Sequence, residues 1–200
     1  MSRLTIAAAA SALWLAASPA AAEPFRNFVD MCLNTNADRQ AAVSRAKGIG
    51  WHPMAADALG LGEDLEEATL HVSADPALMT AKGPPADLEM LVTGFGGGQM
   101  DFGVEGTRME ACVVGAVGRD PAELEAQLEE RLGMPPAELD GQRLWMFTRA
   151  GAGFRSEAAF LEQGDEEALR TIAERKLYMA IVIPEGDVVV IMLATFRPDP

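Results

Sequence analysis

Basic residues are scarce in this chain: 16 Lys and Arg stand against 30 Asp and Glu, for a formal charge of −14. Nucleic acid and anionic lipid are normally met by clustered Lys and Arg, so both are disfavoured as partners. Cysteine and histidine are equally sparse, at two residues each. No His-x-x-His, Met-x-x-Met or Cys-x-x-Cys spacing occurs, which leaves no metal cassette and no dithiol redox motif to read. From residue 23 onward the only serines are Ser44, Ser73 and Ser156, and none lies in a Gly-x-Ser-x-Gly elbow. A serine hydrolase is thereby disfavoured. Beyond the first 22 residues there is no uninterrupted apolar run of about 18 residues, and no repeat or low-complexity linker divides the chain.

What is present begins at the N-terminus. Arg3 is followed by the apolar run Leu4 to Leu15 and then by Ser18-Pro19-Ala20-Ala21-Ala22. A basic start, an apolar centre of roughly 7 to 15 residues and a small-residue Ala20-x-Ala22 site predict a signal peptide, cleaved between Ala22 and Glu23. A retained anchor is the competing reading, but the run is mostly alanine, and Pro19 with small residues suits cleavage better than a span of about 20 residues. No cysteine lies near the junction to carry a lipid. Removal of residues 1–22 takes away Arg3 and no acid, moving the formal charge from −14 to −15. The expected mature protein is a free exported chain with no stable membrane insertion, sited in the periplasm or secreted. Its acidity keeps it in solution, and could also steer a cationic ligand or metal.

The length fits one domain over residues 23–200, and 49% apolar residues can fill one sizeable core. In an oxidising compartment the even pair Cys32 and Cys112 predicts a disulfide; two separate buried thiols are the alternative.

Periodicity supplies the elements. Phe25, Phe28, Val29, Cys32 and Leu33 form a helical stripe that turns Cys32 inward. Thr35 and Asp38 have capping-box spacing for a second, alanine-rich helix that runs to about Ala46 and stops at Gly48. Gly48 to Pro53 reads as a turn carrying Trp51. Strands are expected at Thr69–Ser73, Leu78–Lys82, Asp87–Gly94, Met100–Glu105 and Met109–Val117, with hairpin turns at Gly96-Gly97-Gly98 and Gly106-Thr107. Asp120, Pro121 and Gly133 delimit a helix whose Leu124, Leu128 and Leu132 face inward. A strand at Arg143–Arg149, a helix at Asp165–Arg175 with Leu169, Ile172 and Ala173 inward, and a hairpin of Leu177–Ile183 with Val188–Phe196 complete the chain. Strands joined by hairpins, with helices at the start and between strand groups, predict an α+β fold: an antiparallel sheet with an N-terminal helix pair and one or two further helices, packed on one face.

The same residues offer little chemistry. Ser44 falls within a helix, Ser156 serves as a cap, and Ser73 shares a strand with His71 without a third member. A metal would have to use His52, His71 and soft or acidic neighbours, with His52-Pro53-Met54 the one segment that combines imidazole and thioether. Gly94-Phe95-Gly96-Gly97-Gly98-Gln99 lacks the following helix and lysine of a phosphate loop. Asp101 and Glu105, like Glu66-Glu67 and Glu166-Glu167, are acids among many. No catalytic, metal-binding or cofactor-binding residue is singled out.

Phe28-x-x-x-Cys32, the alanine-rich helix ending at Gly50-Trp51, the Cys112 strand and the C-terminal hairpin together resemble uncharacterised small exported proteins of Gram-negative bacteria. That resemblance implies an envelope location and supplies no activity. The expectation drawn from the whole is a non-enzymatic binding or interaction module for a protein or small-molecule partner. A small exported enzyme with a His/carboxylate cleft is the second reading, and copper capture at His52 and Met54 the third.

Overall fold

The computed structural model describes residues 23–56, 65–78, 85–96 and 106–198. The signal sequence expected through Ala22, the strand expected at 100–105, most of that expected at 78–82, and the Gly97-Gly98 turn lie outside these residues.

The described chain holds nine strands in one antiparallel sheet. They are β1 (His52–Met54), β2 (Leu65–Val72), β3 (Glu89–Gly96), β4 (Thr107–Val117), β5 (Ala137–Leu139), β6 (Gln142–Ala150), β7 (Gly153–Ser156), β8 (Tyr178–Glu185) and β9 (Val188–Pro198). Their spatial order is β1-β2-β3-β4-β9-β8-β6-β5, with β7 also on β6. The two halves meet where β4 and β9 pair from Thr107↔Pro198 to Val117↔Val188. Hairpin chemistry closes several neighbours: β5 and β6 join through Asp140-Gly141, both at positive φ (51° and 80°), a conformation that favours an Asp-Gly pair.

Four α-helices cover this sheet: α1 (Pro24–Phe28), α2 (Arg39–Gly48), α3 (Pro121–Leu132) and α4 (Asp165–Glu174). The cap, the leucine stripe and the terminal glycine of α3 are realised, whereas the expected capping-box partner Glu123 accepts from Gln127 at 3.3 Å instead. Asp120 accepts a hydrogen bond from the Ala122 amide at 3.0 Å, and Leu124, Leu128 and Leu132 are buried. Gly133 ends the helix in the left-handed region, at φ 68°. This helix carries the chain from β4 to the opposite sheet edge.

The N-terminal segment departs from the expected single helix. After α1 the chain widens into a π-helical turn, Val29–Leu33, with the Asn34 amide bonded to the Val29 carbonyl at 2.8 Å. The wider turn brings Met31 into the core beside Phe28, Cys32 and Leu33. Thr35 does not cap α2, because its hydroxyl donates back to the carbonyls of Met31 and Cys32. The cap is Asp38, whose carboxylate accepts from the Ala41 amide at 2.8 Å.

Strand parity divides the core into two layers. Leu91, Cys112, Val114, Trp145, Phe147, Tyr178, Ile191 and Leu193 point to one face, beneath α1, the π-turn, α2 and α3. Met109, Ala111, Met146, Met179, Ile181, Met192 and Phe196 point to the other, against Phe160 and the Ala168 and Ile172 of α4. The expectation that all helices share one face is therefore corrected. The central strands are apolar at both parities, so both faces need cover. The inward stripe of α4 is Ala168, Thr171 and Ile172, one residue earlier than expected, and Ala173 is exposed.

Cys32 and Cys112 form a disulfide with a Cα–Cα distance of 5.5 Å. It fastens the π-turn to the middle of β4, inside the first layer. No helix among the described residues is long and apolar enough to cross a membrane.

Candidate functional site

The first layer opens at one end into a cleft of about 620 Å³, between α1 with its π-turn, the C-terminal end of α2, and the start of β3. Its volume falls within the roughly 300–1,000 Å³ of small-molecule sites. Glu89 lies on its floor. As the first residue of β3, Glu89 shares the inward parity of Leu91 and Thr93, and it is 2% exposed. Ser73 holds its backbone from both sides: the Glu89 amide donates to Ser73 Oγ at 2.8 Å, and the Ser73 amide donates to the Glu89 carbonyl at 2.9 Å.

The side chain is satisfied at one oxygen only. Asn27 of α1 donates its Nδ2 hydrogen to Glu89 Oε2, whereas Oε1 is buried without a partner. Burial pushes the Glu89 pKa above its ordinary value, opposed by the Asn27 hydrogen bond and the Arg119 charge and reinforced by Glu23. A buried carboxyl oxygen with no donor costs free energy. Above the floor, Arg26 reaches Glu23 at 3.6 Å and Asp30 at 4.0 Å in exposed pairs of small energetic weight. Ile49, the one large hydrophobic exposed among the described residues, stands at 60% exposure on the rim.

His71 lies on the same sheet face, one cross-strand row from Glu89 and opposite Leu91. It is 4% exposed, and neither ring nitrogen has a partner. Burial, followed by the Lys47 charge, lowers its pKa. The structure thus brings Ser73, Glu89 and His71 into adjacent rows without the hydrogen bonds that a nucleophile, its base and an orienting carboxylate require.

The remaining candidates are dispersed. Ser44 is exposed on α2, and Ser156 Oγ accepts the Ala158 amide at 3.4 Å. His52 and Met54 lie on β1, where His52 is exposed. Glu66 and Glu67 pair with Arg108 and Arg39, and Glu166 with Arg170 at 3.6 Å. Asp101 and Glu105 lie outside the described residues. Among the described residues no three His, Cys, Asp or Glu side chains group as metal ligands.

A second polar assembly at the other end of this face is a fastener. Arg149 donates to the Leu33 carbonyl and Lys176 to that of Asn36, at 3.0 Å for the latter. Glu110, 5% exposed, pairs with Arg197 and accepts the Arg39 amide at 3.4 Å. These bonds hold the 34–38 loop, where Asn36 and Ala37 are both left-handed, at φ 60° and 59°. Burial lowers the Lys176 pKa and raises that of Tyr178 beside it.

Compared with family models, curated proteins and solved structures, the chain matches none.

Sequence reading overlooked Glu89, Asn27 and Ile49. The available signal was parity: Glu89 is an acid at an inward position of the strand that continues through Leu91 and Thr93. An acid placed there is either paired or waiting for a partner.

Proposed function

We propose that this protein is an exported, non-enzymatic binding module, periplasmic or secreted, whose ligand seat is the Glu89 cleft. The single observation that carries the seat is Glu89, which lines a cleft of about 620 Å³ and keeps one carboxyl oxygen, Oε1, buried beneath it without a donor. Export is supported by the Arg3 to Ala22 pattern and by a disulfide suited to an oxidising compartment. Binding is favoured over catalysis because His71, the one histidine near the cleft, bonds to neither Ser73 nor Glu89. The rigid walls supply what a binding site needs: α1 and its turn are tied to β4 by the disulfide, and β3 is paired on both sides.

A fragment screen on the exported protein, followed by backbone amide NMR, tests this reading. Shifts from bound fragments should centre on Asn27, Ser73, Glu89 and Ile49. Fragments that gather elsewhere, or a demonstrated turnover, would overturn it. Mass spectrometry should find a chain starting at Glu23 and two hydrogens lighter than the dithiol form.

A further inference from the structure

We infer that the ligand of the Glu89 cleft is a small amphiphilic cation, with a primary ammonium head that the Glu89 side chain turns its buried Oε1 to meet, and a short apolar body along Met31 and Ile49. This rests on the cleft being the ligand seat, as proposed above.

The head group follows from what the floor has left to offer. Oε2 is taken by Asn27, so one carboxyl oxygen remains. An ammonium is a compact donor that can use a single oxygen, whereas the guanidinium fork is matched to two. A hard divalent cation needs several oxygen ligands, and no acidic trio among the described residues supplies them. An anion would have to lie against a buried carboxyl. A neutral donor could bond to Oε1, but it would not answer the charge of the site. Glu23, Asp30, Asp87 and Glu89 line the cleft with Arg26 and Arg45, Arg119 adds its charge near Glu89, and Arg26 is held by Glu23 and Asp30. The chain as a whole carries −14, which attracts cations at long range.

The body of the ligand follows from the walls. Met31 and Ile49 are apolar lining residues, and Ile49 is left 60% exposed at the mouth. A short apolar group there removes that surface from water while its ammonium end reaches inward.

Binding is coupled to a proton. Burial favours the neutral Glu89 carboxyl, and a cation at Oε1 favours its ionised form, so binding releases a proton wherever Glu89 was protonated. Affinity therefore rises with pH until Glu89 is ionised without the ligand. The charged groups facing it are Glu23, Arg26 and Asp30 on the α1 side, Arg45 on α2, Asp87 ahead of β3 and Arg119 after β4. His71 stands in the next row of β2. A Glu89→Gln variant keeps all of these and removes only the titrating carboxyl.

Calorimetric titration with phenethylamine, 2-phenylethanol and phenylacetate, with amide NMR to place each probe, tests the assignment. Phenethylamine should bind about tenfold or more tightly than 2-phenylethanol, as a charge-assisted hydrogen bond implies, and phenylacetate more weakly still. Its affinity should increase as pH rises above 4.5 and level off once Glu89 is ionised without the ligand, and Glu89→Gln should abolish both the preference and this pH dependence. Ile49→Ser, a change at a side chain 60% exposed, should weaken phenethylamine severalfold and leave methylammonium unaffected. Equal binding of amine and alcohol, or an amine preference that survives Glu89→Gln, overturns the cation assignment. If the alcohol or acid shifts Asn27 and Ser73 while the amine does not, the cleft stands and the ligand class falls. If no probe shifts them, both fall.

Discussion

Replacing Cys32 and Cys112 together by alanine removes the one covalent link across the first core layer. Both residues are fully buried and lie 80 positions apart in sequence. Closing a loop of that length restrains the unfolded chain by about 4.5 kcal/mol in the chain-entropy account. In a domain of this size each kcal/mol moves the melting temperature by about 2–4 °C, so the double variant should melt roughly 9–18 °C below the wild type. Scanning calorimetry with and without reductant is the assay. Reductant should lower the wild type by a similar amount and leave the variant unchanged. The loss should also reach the cleft, because Asn27, Asp30 and Met31 lie just ahead of Cys32 and form one of its walls. Their amides should exchange faster in the variant than those of β9. A melting temperature within about 3 °C of wild type would refute the reasoning, because the link would then not restrain the unfolded chain as argued.

Two further predictions concern pH and have opposite signs. Glu89 holds its proton more firmly folded than unfolded, so its stabilising contribution is complete below the ordinary value of 4.5 and is lost as pH rises through its folded value. Urea titrations should show that decline in wild type and its absence in Glu89→Gln; parallel profiles would contradict the assignment. His71 holds its proton less firmly folded, so stability should fall as pH drops below 6.5 towards its folded value. His71→Leu should flatten this acid limb, and an unchanged limb would show that another group causes it. Trp145→Phe removes the buried indole hydrogen bond to the Met134 carbonyl at 3.1 Å and should cost about 1–3 kcal/mol in urea unfolding. A change below about 0.5 kcal/mol would mean that the carbonyl finds water.

Elements with complete local chemistry were legible in the sequence. The α3 helix has its cap, its Pro at the first turn, its leucine stripe and its terminal glycine within fourteen consecutive residues, Asp120 to Gly133. The β8–β9 hairpin was equally readable, because Gly186-Asp187 leaves two strongly apolar strands no other close partner. What escaped depends on contacts distant in sequence. The β4–β9 pairing joins strands separated by two α-helices and four other strands. The apolar residues at both parities of the central strands demanded cover on both faces, but which helix supplies it on the second face, α4, follows from sheet order. The Thr35 cap failed because the π-turn before it supplied carbonyls for the hydroxyl.

The site was less legible for the same reason. In Asp87-Leu88-Glu89-Met90-Leu91 the acid resembles any other among thirty. Only when α1 lies over β3 does Glu89 become a buried carboxyl held by Asn27. Ser73 and His71, the residues sequence reading did consider, flank it as a backbone clamp and an unpaired neighbour.

The account turns on the state of Glu89, and a carbon-detected NMR titration of side-chain carboxyls reads that state directly. In the free protein the Glu89 carboxyl should titrate above the ordinary 4.5, and saturating phenethylamine should bring it down. A Glu89 signal that titrates at the ordinary value and ignores the amine would contradict both the buried acceptor and its ligand.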